Sequence, residues 1–264
     1  MKNLFLTCLI VVVALCMNTT PAFAQIGAFS DSKDIGNVAA AGSATAEDVG
    51  TGGDFGAKEY EYVIQASGAD IWGTADEFHY VYMQVEGDFT IFGRTDIDAG
   101  TSTSDWVKSG LMVRDNLTPG SPYAYAAFRR NMDYMAQWRD QQDAGAASTG
   151  DSMIVPADDI QGYYDEGVTY TIALERRGNT FNFYYVSAAT GERVLQESHT
   201  VPGMEDPVYV GMAVTSHDDG KFSTAYWRNV GIEFRSFNIY ETFSYPNDDA
   251  GTGHTISWCG YRYF

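Results

Sequence analysis

Between Glu59 and Val230 the chain returns again and again to one pattern, short runs in which large and small or apolar and polar residues alternate. The runs include YEYVIQA, FHYVYMQV, DFTIFGR, VKSGLMVR, YAYAAFRR, DYMAQWR, YTIALERR, TFNFYYV, PVYVGMAV and FSTAYWRNV. A period of two is that of a β-strand, and Tyr, Phe, Val, Ile and Thr suit a pleated, half-buried surface. The runs break at turn-forming residues: Glu86-Gly87-Asp88, Pro119-Gly120, Arg177-Gly178-Asn179, Thr190-Gly191 and Asp218-Asp219-Gly220. No stretch carries a sustained helical period. The pattern predicts an all-β, antiparallel β-sandwich as a single domain over 59–239. The Gly/Ala/Ser-rich stretch 25–58 is either a leader or the weak first strands of that domain, and 240–264 is a tail or an extra strand.

The N-terminus predicts export. Lys2, the apolar run LFLTCLIVVVALCM and the small-residue site Ala22-Phe23-Ala24 make Met1 to Ala24 a secretory signal peptide. The expected location is therefore secreted, extracellular or at the cell surface. Two of the three cysteines, Cys8 and Cys16, leave with the signal. Cys259 then has no partner within the chain, so folding must rest on a packed core. With 35 acidic against 16 basic residues the formal net charge is -19. A surface this acidic repels nucleic acid and anionic membranes, and no later segment has the length of a membrane span.

Basic residues are scarce, so their placement is informative. In VKSGLMVR, Val107, Leu111 and Val113 share one face while Lys108, Met112 and Arg114 share the other. In DYMAQWR, Tyr134, Ala136 and Trp138 alternate with Met135, Gln137 and Arg139. Arginine forks suit carboxylate or sulfate oxygens, and Gln both donates to and accepts from hydroxyls. Arg114, Gln137 and Arg139 are thus candidates for a polysaccharide platform, an acidic polysaccharide included. Cross-strand pairing with Asp or Glu is the alternative use of the same arginines.

The runs SGADIWGTADEFHYVY, WVKSGLMVRDNLTPGSPYAY, AQWR and VYVGMAVTSHDDGKFSTAYWRNV together resemble exported domains of the concanavalin A-like lectin/glucanase superfamily. The resemblance is to the type labelled "regulation of enolase protein 1" or domain of unknown function, and it covers most of Asp31 to Val230. It implies a jelly roll of two packed sheets, often attached to carbohydrate-active or cell-surface proteins, and no defined activity. Trp72, Lys108, Arg114, Gln137 and Arg139 lie in the resembling runs, and with His79 they form the candidate ligand-binding set. Arg228 in TAYWRNV departs from the family, which more often has an acid there.

Within ADIWGTADEFHYVY, Phe78, Tyr80 and Tyr82 fall on one face of a strand, and His79, Val81 and Met83 on the other. Apolar residues on both faces point to a buried strand, with Asp70, Asp76 and Glu77 as flanking turn residues or caps. Catalytic signals are thin. A sandwich glycosidase wants alternating acids across a cleft, which no strand supplies. Lyase residue types are present without the expected motifs. Asp96, Asp98 and Asp105 surround a loop that could hold Ca²⁺, without EF-hand spacing, and the four histidines are scattered. No cofactor is implied. The favoured expectation is a non-catalytic polysaccharide-binding module. A filament subunit joined by donated terminal strands is second, and a polysaccharide lyase or hydrolase third.

Overall fold

The computed structural model describes residues 25–51, 58–130, 133–149, 153–154, 161–164 and 167–234. Among these none is helical, and sixteen strands form two stacked antiparallel sheets, a jelly-roll β-sandwich. The first sheet runs β1 (Asp31–Ile35), β4 (Phe78–Val85), β15 (Val208–Thr215), β6 (Lys108–Arg114), β7 (Tyr123–Arg129), β8 (Asp133–Arg139) and β10 (Met153–Ile154), with β9 (Ala147–Ser148) also on β8. The second runs β14 (Arg193–Thr200), β13 (Thr180–Val186), β12 (Gly167–Arg177), β5 (Phe89–Ile97), β16 (Ser223–Phe234), β3 (Lys58–Ala66) and β2 (Ser43–Thr51), with β11 (Gln161–Tyr164) on β12. The stretch 25–58 contributes β1 to one sheet and β2 to the other. The expected signal peptide 1–24 and the tail 240–264, with Cys259, lie outside the described residues.

Paired residues on neighbouring antiparallel strands share a face, so the register says which side chains meet the opposite sheet. On the first sheet Ser109, Leu111 and Val113 pair with Phe128, Ala126 and Ala124, and this face looks inward. The Ser109 and Thr95 hydroxyls bond at 2.7 Å across the two sheets, and Trp138 meets Phe183 at 6.4 Å between ring centroids. Leu111, Phe128, Ile91, Leu174, Phe183 and Trp227 are among the buried residues of this core. Each such side chain contributes about 1.5–3 kcal/mol by leaving water.

The outer face of the first sheet is buried too. It carries Tyr80, Tyr125 and Ala127, all fully shielded, and Gly110 leaves room for the Tyr125 ring while Gly211 lets the β4 backbone approach closely. A Cβ on Gly110 would lie 2.6 Å from Tyr125 Cε2, which places the Tyr125 ring against this glycine. Tyr125 donates its hydroxyl to Ala213 O at 2.9 Å, and the Tyr80 hydroxyl reaches Met112 O and Tyr209 O at 3.0 Å each. Such an acceptor offsets the cost of taking each of these phenols out of water. β4, between β1 and β15, is accordingly buried on both faces from Phe78 to Tyr82.

The edges of the second sheet are irregular. Gln196 is an extra residue in β14 and Val49 an extra residue in β2, each a bulge on an edge strand. On the first sheet β1 is only five residues long. Bulges and short strands are the usual ways in which a sheet edge is kept from pairing with another chain.

The glycine gap can be tested by filling it. Gly110→Ala puts a Cβ 2.3 Å from Ala126 O as well as against Tyr125, and should cost about 1–3 kcal/mol, read as a lower denaturation midpoint. Gly145→Ala, where nothing lies within 4 Å, should stay within about 0.5 kcal/mol of the parent. Equal midpoints for the two variants would contradict the packing described.

Candidate functional site

The loop Ala69–Glu77, which leads into β4, does not turn away from the sandwich but lies over the outer face of the first sheet. Its two ends are drawn together: the Glu77 amide donates to Asp70 O at 2.7 Å, and the Thr215 hydroxyl donates to both Gly68 O and Glu77 O. Gly68, at φ +114°, makes the entry possible, since a Cβ there would stand 2.1 Å from Glu77 O. The loop's own Ile71 and Asp76 are then completely buried.

Asp76 is held by two arginines, and all three side chains are 0% exposed. Arg139 bonds it in bidentate fashion, Nη1 to Oδ2 at 2.7 Å and Nη2 to Oδ1 at 2.6 Å, while Arg114 Nη1 reaches Oδ2 at 3.1 Å. The register explains the convergence, because Tyr123 pairs with Arg114 on one side and Arg139 on the other. The remaining guanidinium N–H groups donate to loop carbonyls. Arg114 takes those of Asn116, Thr118 and Pro119; Arg139 takes those of Trp72, Gly73, Pro119, Ser121 and Ala144. Two cations share one carboxylate, and this ring of carbonyl dipoles offsets the surplus charge. The Tyr123 ring lies 4.9 Å from the Arg139 guanidinium carbon. Burial pushes the Tyr123 phenol far above its ordinary range although both arginines pull it down.

Gln137 and Lys108 hold the other end of the loop. Gln137 Nε2 donates to Ile71 O at 2.7 Å and bonds the Tyr123 hydroxyl. Lys108 Nζ donates to Asp70 Oδ1 at 2.7 Å, Ile71 O at 3.0 Å and Gln137 Oε1 at 3.3 Å, which uses all three of its protons. Burial pushes this ammonium below its ordinary pKa, and Asp70 pulls it back up.

These contacts correct the expected platform. Arg114, Gln137 and Arg139 do share a face, as their alternation predicts, but the loop occupies that face and their hydrogen-bonding groups are spent on it and on backbone carbonyls of residues 116–121 and 144. They therefore offer nothing to a carboxylate or sulfate in solution. Asp76, expected as a flanking turn residue, is the buried counter-ion. His79 is buried as well; its Nδ1 lies 2.8 Å from Asp34 Oδ1 at the β1 edge, away from the loop's anchors. The calcium candidates are used singly: Asp96 sits within β5, Asp98 accepts from the Gly100 amide at 2.7 Å, and Asp105 stands 3.8 Å from Arg130. Among the described residues no group of three His, Cys, Asp or Glu gathers as a metal would require.

What the loop presents outward is aromatic. Trp72 is 41% exposed, with the Lys108 ammonium 5.5 Å from its ring centroid. Trp106, just before β6, is 48% exposed and has the Arg129 guanidinium carbon 4.5 Å from its ring centroid. The two tryptophans are joined through Asp70. One carboxylate oxygen of Asp70 takes Lys108 and the Ile71 amide, and the other lies 3.4 Å from His217 Nε2, whose ring stacks on Trp106 at 6.1 Å. His217 itself has φ of 54°, a backbone state rare for a residue with a Cβ. Of this cluster the sequence-derived candidate set contains Trp72 and Lys108. Trp106, Asp70 and His217 are additions. A Trp just ahead of the alternating run VKSGLMVR was the available signal for Trp106, whereas the Asp70–His217 contact spans elements far apart in the chain.

No protein-family model matches the chain, and no curated protein matches it. Several solved structures resemble it at low identity. One is a functionally unknown protein from Saccharomyces cerevisiae, with a TM-score of 0.49, 12% identity, and 72% of this chain and 95% of that chain covered. Another is family 7 alginate lyase A1-II′, with a TM-score of 0.39, 8% identity, and 73% and 78% covered. A third is lectin I-B4 from Griffonia simplicifolia in its metal-free form, with a TM-score of 0.36, 12% identity, and 77% and 92% covered. At these TM-scores the likenesses bear on no question of ligand or activity.

Removing one member of the clamp should be severe. Asp76→Ala leaves two guanidiniums buried without a counter-ion, and about 3–5 kcal/mol of stability should be lost in denaturant unfolding. Exposed Asp105→Ala should change stability by less than about 0.5 kcal/mol. A mild loss for Asp76→Ala would show that the clamp does not hold the loop.

Proposed function

We propose that the protein is a secreted, non-catalytic β-sandwich module that binds polysaccharide through the surface formed by Trp72, Trp106 and Asp70. The observation that carries this reading is the pair of large, exposed tryptophans anchored on a rigid base and linked through a half-buried carboxylate. Indole rings provide flat apolar surfaces for the C–H faces of sugars, and a carboxylate accepts hydroxyl hydrogen bonds. A rigid base limits the ordering cost of binding, because little in the site must be fixed when the ligand arrives. The resemblance to the exported "regulation of enolase protein 1" type, carried by the same loop sequence, agrees with a module of this kind.

A catalytic reading is less well supported by the same geometry. Asp70, Lys108 and Gln137 are engaged with one another and with the loop backbone, so the groups that would move protons already perform a structural task. Assembly through sheet edges is also less well supported, since Gln196 and Val49 bulge from both edge strands of the second sheet.

Retardation in gels containing dissolved polysaccharide tests the proposal. Trp72→Ala and Trp106→Ala should each weaken retention about tenfold, the size of one lost aromatic stacking contact, with unchanged unfolding midpoints. A folded double variant that is retained as well as the parent would overturn the site. Export predicts that the secreted protein begins at Gln25, as read by N-terminal sequencing; retention of residues 1–24 in exported material would contradict it.

A further inference from the structure

Resting on the polysaccharide-binding reading above, we propose that the ligand is an uncharged glycan and that Asp70 is the residue that rejects acidic ones. Selectivity at this surface depends on which hydrogen-bonding groups around the two tryptophans still face solvent. The cations nearest the rings are withdrawn. Lys108 is buried with its three protons committed, and Arg129 is buried beside the Trp106 ring. Lys221, on the neighbouring turn, is 61% exposed but its ammonium is paired with Asp218, and that same carboxylate accepts from the Thr103 hydroxyl, which ties the loop before Trp106 to the turn carrying His217.

Asp70 and Asp105 are less withdrawn than Lys108 and Arg129, the two cations that touch the rings. Asp70 keeps a quarter of its side chain open, and the oxygen facing His217 has only that contact at 3.4 Å. Asp105, the residue before Trp106, is 78% exposed, with Arg130, itself 32% exposed, 3.8 Å away. An ionised carboxylate only accepts hydrogen bonds, and so does the carboxylate of a uronate or the sulfate of a sulfated sugar. Neither has a proton to place between two acceptors, whereas every sugar hydroxyl has one. Proximity of like charges adds a repulsion that salt screens, but the mismatch of acceptor with acceptor remains at any ionic strength. The surface is therefore selective by the sign and kind of its polar groups, and the overall charge of -19 acts in the same direction.

The experiment uses the full-length exported protein in native gels containing galactomannan, mixed-linkage β-glucan or dextran as neutral polymers, and polygalacturonate or hyaluronan as acidic ones. Each gel is run at 0.15 M and 1 M NaCl. At least one neutral polymer should retard the protein at both salt concentrations, and neither acidic polymer should do so at either. Asp70→Asn, which replaces one acceptor by a donor at nearly constant size, should weaken neutral binding about fivefold and bring in retention by an acidic polymer that Trp72→Ala removes. Retention of the parent protein by an acidic polymer at 1 M NaCl, lost on Trp106→Ala, would overturn the inference while keeping the polysaccharide site. No retention by any of the five polymers would overturn the polysaccharide reading itself. Should Asp70→Asn fold but behave as the parent, the selecting role of Asp70 is refuted; should it fail to fold, the comparison of neutral with acidic polymers on the parent decides the ligand class alone.

Discussion

The Asp76 carboxylate, buried between Arg114 and Arg139, is the contact on which the rest of the described structure turns. It fixes a nine-residue loop onto a sheet face that would otherwise be open. An ion cluster in an apolar setting is not a cheap source of stability, because each charge loses its hydration and recovers it only through good geometry and filled donors. Here the geometry is bidentate on one side, and the other guanidinium N–H groups meet carbonyls, apart from the Arg114 Nη1 contact to Met112 Sδ. What such an arrangement supplies is position. Arg139 bonds Trp72 O and Gly73 O directly, so the ion cluster that closes the sheet face also sets where the Trp72 ring emerges.

That coupling changes where a ligand can bind. The concave or outer face of a sandwich sheet is an obvious place for a polymer to lie, and the alternation in β6 and β8 puts long polar side chains there. In this chain those side chains are covered by the loop, and the chemistry available to solvent moves to its rim. Two exposed tryptophans, linked through the Asp70 carboxylate, lie at that rim. Lys108 belongs to both settings, since it holds the loop through Ile71 O and reaches the rim through Asp70 and the Trp72 ring.

The strands were legible because their period is local. Faces could be assigned in β6 and β8 from alternation alone, and the described register keeps those assignments. The occupant of a face is a long-range property and left no such trace. Asp76 is 38 residues from Arg114 and 63 from Arg139, and no spacing rule joins them. A partial sign was nonetheless present: Arg114 shares its face with Met112, and Arg139 shares its face with Met135. An arginine on an apolar strand face calls for a buried acid, and the short loop before β4 holds three acids within eight residues. Trp106 was hidden differently, since it stands outside the alternating run and its exposure depends on the turn that brings His217 against it.

The most direct test of the clamped loop is native-state hydrogen exchange at the amides of Asp76 and Glu77, which donate to Pro119 O and Asp70 O. If the Asp76 cluster holds the loop as firmly as described, these amides exchange only with the same opening free energy as Leu111 and Met112 in β6, that is, through global unfolding. Exchange of the loop amides through a much cheaper local opening, while β6 remains protected, would contradict the account: the sheet face would be one the loop merely visits.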